Sequence, residues 1–124
     1  DVSLFYIITF FITMNTITNE FMMEMLGKSK NYSIVILKKG PNNDIAERQE
    51  IVWEHGRRNF ELRAQGLLSI ICPVVEENDI RGIGIFNDNK EKIKEIMDED
   101  PGVKQGVFVY EILNVKSFPG DTLP

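Results

Sequence analysis

Residues 67–87 read LLSIICPVVEENDIRGIGIFN, and the reading of this stretch decides the fold. Leu67 to Cys72 is a short apolar, β-branched run halted by Pro73. Glu76-Glu77-Asn78-Asp79 is a polar turn, and Arg81 to Asn87 is a second strand-like run. Two strands joined by so short a turn form an antiparallel hairpin. What stands on either side of that hairpin sets the topology.

Upstream, Asp44-Ile45-Ala46-Glu47 has the form of a capping box and predicts a helix running to Gln65, with Gly66 stopping it. Val52, Gly56 and Phe60 share one face of that helix, flanked by Ile45 and Leu62. Before it, Tyr32 to Lys38 (YSIVILK) reads as the first strand, closed by Gly40-Pro41-Asn42-Asn43. Downstream, Asp88 with Glu91 three places on predicts the cap of a second helix, buried through Ile93, Ile96 and Met97. Asp100-Pro101-Gly102 breaks it, and Val107 to Val115 is the last strand. The order is β-α-β-β-α-β, an α+β fold of ferredoxin-like type with a four-stranded antiparallel sheet.

The ends of the chain divide from this core. Leu4 to Ile12 (LFYIITFFI) is apolar but far short of the roughly 20 residues a membrane helix needs. It has neither the basic start nor the small-residue cleavage site of a signal peptide. Asp1 is not an initiator and Met14 offers a natural start. Residues 1–13 are therefore expected to lie outside the functional domain, with a short anchor as the other reading. Residues 14–31 hold a short leading helix, with Ile17, Phe21 and Met25 at helical spacing and Thr16 or Thr18 as cap, expected to pack on the domain edge. Residues 32–117 form the domain and 118–124 an irregular tail.

The chain has 124 residues, 43% of them hydrophobic and 27% charged, which suits one globular domain. A formal charge of -5 argues against nucleic acid as a partner, and no membrane is expected. Cys72 has no second cysteine to pair with, which fits a reducing, cytoplasmic setting. Its apolar neighbours Ile70, Ile71 and Val74 predict inert burial. Trp53 and the Met22-Met23-Met25 cluster read as packing residues.

The strands are apolar on both sides. In the first, Tyr32, Ile34 and Ile36 oppose Val35 and Leu37. In the last, Val107, Val109, Leu113 and Val115 oppose Phe108, Tyr110 and Ile112, and in the second Leu67 and Ile71 oppose Leu68 and Ile70. Two helices cover only one face of a sheet. The other would form a larger apolar patch than soluble monomers usually expose. A homodimer packed sheet to sheet is the expected solution.

Tyr32 to Val115 resembles the YCII-related (YciI-like) family of dimeric α/β-barrel proteins. The likeness runs through LKKGP at the end of the first strand, His55 in the first helix, Gly66 followed by LLSIICPV, then RGIGIF and the Asp-Pro of DEDPGVKQG. It departs where members usually carry Gly-Pro and this chain has Cys72-Pro73, a side chain that could narrow a cavity. The resemblance implies a ferredoxin-like homodimer and a His–Asp pair, His55 with Asp100, as catalytic centre. It implies proton-transfer chemistry of lyase or isomerase type on a small organic acid, without a cofactor.

His55 is the chain's only histidine, and histidine exchanges a proton near neutral pH. Read alone it is equally a polar residue at a helix surface, and Asp100 before Pro101 equally a helix cap. Arg58 forms an ion pair with Glu54 four residues away, or one of Arg57 and Arg58 holds a substrate carboxylate. Gly82 and Gly84, on one face of the third strand, mark either close approach by a ligand or room for bulky neighbours. The acidic clusters lack metal-ligand spacing. Two functions stand side by side: a small cofactor-free enzyme, and a non-catalytic homodimeric module that binds a small ligand or regulates a partner.

Overall fold

The structure, a computed structural model, describes residues 16–124. The reading of residues 1–13 as an apolar extension lies outside the described residues. Residues 31–117 make one compact unit, and the leading segment with residues 118–124 belongs to another. In the leading segment, α1 (Asn19–Gly27) is capped by Thr18, whose hydroxyl accepts from the amide of Phe21, and none of its residues is buried.

The compact unit comprises β1 (Lys30–Lys39, its first residue lying outside), α2 (Arg48–Ala64), β2 (Leu68–Pro73), β3 (Ile80–Phe86), α3 (Lys90–Asp98), the single-turn α4 (Pro101–Lys104) and β4 (Phe108–Ser117). The four strands form one antiparallel sheet in the order β2-β3-β1-β4. This α+β arrangement is compatible with the ferredoxin-like fold.

Cross-strand partners share a face, so the register sorts the side chains. Val35 stands opposite Gly84 and Leu37 opposite Gly82, while Ile34 faces Ile85 and Ile36 faces Ile83. Val35, Leu37, Leu68 and Phe86 are buried with Leu62, Ile93, Met97, Phe108 and Ile112 in the core beneath the helices. The other face carries Ile34, Ile36, Ile83 and Ile85, with Val109 and Leu113 of β4 exposed. Both faces are apolar, as the strand pattern predicts.

Several local expectations are corrected. The register of β2 shifts between Leu68 and Ile70, so Leu68 and Ile71 pair on the core side and Ile70 on the open side. Cys72 pairs with Ile83 and is exposed on that open face rather than buried. Val107 precedes β4 and is wholly buried, not part of the open face.

The helix starts also move. Asp44 does not cap α2, which begins four residues later with Glu47 at its cap and no side-chain cap bond. The intervening residues make turns, with Ile45 N donating to Asn42 O at 3.3 Å and Arg48 N to Ile45 O at 3.1 Å, and the chain just before them is tied across the fold. Gly40 N donates to Val107 O at 2.8 Å and Asn42 N to Gly106 O at 2.8 Å, and the Asn43 amide reaches Val107 O at 2.9 Å. Backbone tied across to the start of β4 cannot enter a helix at the same time. Asn89, not Asp88, caps α3, accepting from Lys92 N at 2.9 Å, while the Asp88 carbonyl is taken by the Ser33 hydroxyl. Asp100-Pro101-Gly102 ends α3 and then opens α4.

The inward stripe of α2 is one step round from the predicted one. Leu62 is buried and Ile51 packs on the core, as does Val52 of the predicted face, while Phe60 and Trp53 are 60% and 70% exposed. Positions 51, 55, 58 and 62 share a helical face. The helix thus turns His55 and Arg58 toward the sheet between two apolar anchors. That rotation sets up the site.

Candidate functional site: a histidine clamped at both nitrogens

Asp100 is placed by local chemistry first. It is the N-cap of α4 with extended backbone, and Pro101 takes the first helical position, where its missing amide costs nothing. Its Oδ2 accepts from Gly102 N at 2.9 Å and from Val103 N at 3.3 Å. That leaves Oδ1 pointing toward α2. His55 Nδ1 lies 2.8 Å from it, joining residues 45 positions apart in the chain. The carboxylate is 1% exposed and the imidazole 12%.

The cap and the histidine partner are therefore one residue with its two oxygens divided between two tasks. A carboxylate only accepts, so the shared proton sits on His55 Nδ1. In the neutral ring Nε2 is then an acceptor. Asn59, one turn further along α2, places its side-chain Nδ2 3.2 Å from Nε2 and donates there. The ring is held edgewise as well, with its centroid 5.0 Å from that of Phe108 at a 54° tilt.

Gly102 makes this packing fit. A Cβ there would stand 2.5 Å from Phe108 Cδ2 and 3.0 Å from Asp100 Oδ2, so any larger residue displaces the ring or the carboxylate. Arg58 completes the cluster. Its guanidinium Nη1 is 3.7 Å from Asp100 Oδ1, beyond hydrogen-bond reach, and is buried with no hydrogen-bond partner among the described residues. The ion pair expected between Glu54 and Arg58 is not made. Glu54 pairs with Arg57 at 3.1 Å, which turns Arg57 outward and leaves Arg58 facing in.

Chemically, the group can hold His55 in one tautomer, take a proton at Nε2 if Asn59 yields, and attract an anion through Arg58. Gly82 and Gly84 stand apart from it. A Cβ on Gly84 would meet Leu68 at 3.1 Å and Phe86 at 3.3 Å, so that glycine makes room for core side chains of β2 and β3. A Cβ on Gly82 would make only ordinary contacts with Cys72 O and Leu37. Cys72 lies on the opposite sheet face and does not narrow the space around His55.

Asn59, Gly102 and Phe108 are the members that sequence reasoning missed. Asn59 had a signal: it lies four residues after His55, the spacing that brings two helical side chains together. No helix among the described residues is long and apolar enough to cross a membrane. No family model matches this chain, and no curated protein compared with it is significantly similar.

Proposed function

We propose that this chain is a YCII-like protein and a small cofactor-free enzyme, of lyase or isomerase type, that moves a proton on a small organic acid. His55 transfers the proton through Nε2, Asp100 fixes its tautomer, and Arg58 draws the substrate's carboxylate. The observation that carries this reading is the 2.8 Å contact between His55 Nδ1 and an Asp100 oxygen that is 1% exposed. A carboxylate so placed orients an imidazole and stabilises its charged form, the arrangement general acid–base catalysis requires.

The working form is a homodimer of ferredoxin-like domains in a reducing, cytoplasmic setting. The apolar open face of the sheet, with Ile34, Ile36, Ile83, Ile85, Val109 and Leu113, supports this. A second copy is the surface that would bury it most economically.

One observation favours a non-catalytic ligand-binding or regulatory module instead. Both His55 nitrogens and both Asp100 oxygens already have partners within the chain. The two readings separate in deuterated water with a panel of small unsaturated and keto acids. The enzyme reading expects proton resonances next to the carboxyl or carbonyl group to disappear with wild-type protein and persist with His55→Ala. Binding without exchange supports the module, and exchange that survives His55→Ala overturns the enzyme reading.

A further inference from the structure

The pairing of His55 and Asp100 leaves open how the second nitrogen is kept fit for use. Resting on the proton-transfer reading above, we infer that Asn59 is a positioning residue that keeps Nε2 of His55 a covered proton acceptor and follows it through both protonation states. Asp100 takes the Nδ1 proton at 2.8 Å, so the neutral ring presents a lone pair at Nε2. The Asn59 amide meets that lone pair with an N–H at 3.2 Å.

A primary amide carries a donor and an acceptor on one flat group. When His55 gains a proton, Nε2 becomes a donor. Rotating the Asn59 amide by half a turn then brings its oxygen to the same place. An aspartate there could only accept and would trap the proton, whereas an apolar residue would leave Nε2 bare in a cluster that is largely buried. The charged groups at the ring are Asp100, from the start of α4, and beside that carboxylate Arg58, from α2 itself, with the Phe108 ring tilted against the imidazole. None of these hydrogen-bonds to Nε2 among the described residues. Asn59 is the group that decides its state.

The side chains at 55 and 59 lie one turn apart on a 17-residue helix, so the geometry survives small shifts of the surrounding loops. His55 being the only histidine makes its chemistry readable without a substrate. Diethyl pyrocarbonate acylates neutral imidazole at an accessible nitrogen, and its rate at neutral pH reports whether Nε2 is free, covered or protonated. Asn59→Ala should raise the rate roughly fivefold, the Boltzmann factor of an ordinary hydrogen bond. Asn59→Asp should lower it roughly tenfold or more, because a charge-assisted bond keeps the ring protonated.

A side chain that merely fills space would move stability in both variants without splitting the two rates in opposite directions. Circular dichroism checks that each variant is folded, and either variant alone keeps its own predicted direction. Equal rates in all three proteins, or a shift of both variants the same way, overturn the inference. If the rates split as stated while no acid in the panel exchanges, the assignment of Asn59 stands and the enzyme reading falls.

Discussion

Removing the Asp100 carboxylate tests whether one residue serves two structures. In Asp100→Ala, α4 loses its cap, worth about 1 kcal/mol. His55 loses a hydrogen bond to a charged partner, worth about 1.5–3 kcal/mol. The buried amide of Gly102 loses its 2.9 Å acceptor as part of that same cap. Together these give roughly 2.5–4 kcal/mol, a large part of the 5–15 kcal/mol that holds a typical domain together. Asp100→Asn is different. Its amide oxygen still caps Gly102, but its nitrogen can only donate, so His55 keeps a bond only by moving its proton from Nδ1 to Nε2; the loss is smaller than in Asp100→Ala, about 1–2 kcal/mol. Urea unfolding followed by tryptophan fluorescence measures both. Trp53 is the only tryptophan and is exposed in the folded state, so circular dichroism should accompany it. A cycle with His55→Ala should show a coupling of about 1.5–3 kcal/mol between the two positions. If Asp100→Ala costs only the single kcal/mol of a lost cap, with no coupling to His55, the dual role is wrong.

Gly102→Ala should destabilise by about 1–3 kcal/mol and loosen His55, because the added methyl collides with Phe108 at 2.5 Å; thermal unfolding reads the first effect. Burial, together with the hydrogen bond to Asp98, pushes the Tyr110 hydroxyl up to about 12. Absorbance titration should therefore show this tyrosine ionising well above the ordinary tyrosine value of about 10, and Asp98→Asn should bring it only part of the way back, since burial is the larger cause. Because the folded protein holds this proton more tightly, the contribution is complete below about pH 10 and fades as pH rises toward 12. Leu113→Lys, on the open sheet face, should convert a dimer into a monomer by light scattering while leaving the fold intact; a wild-type chain that is already monomeric at micromolar concentration removes the sheet-to-sheet pairing.

The order of elements was legible because it rests on local signals. Alternating β-branched runs, a polar turn before β3 and a glycine stop at Gly66 all act within a few residues. What local patterns could not carry was competition for the backbone. Asp44 and Glu47 have the form of a cap, yet Gly40 to Asn43 are bound to Gly106 and Val107, and α2 waits until Arg48. The face of α2 failed for a related reason. Hydrophobic spacing points to Val52, Gly56 and Phe60, of which Val52 does pack on the core, but the inward stripe spends two of its positions on His55 and Arg58, so polar residues face in while Phe60 and Trp53 face out. A helix that carries a site breaks the rule that identifies its buried side. Asp100 was legible as a cap from its own neighbours and as a histidine partner only through the resemblance to a family, and the two readings proved to be compatible because a carboxylate has two oxygens.

The most direct test of the account is the state of a single ring. A long-range proton–nitrogen NMR correlation on the untagged, nitrogen-labelled chain sees one imidazole only, that of His55. In its neutral form the account predicts a protonated Nδ1 and an unprotonated, acceptor Nε2, held as one fixed tautomer. A ring protonated at Nε2 instead, or two nitrogens averaged by free exchange between tautomers, would contradict it.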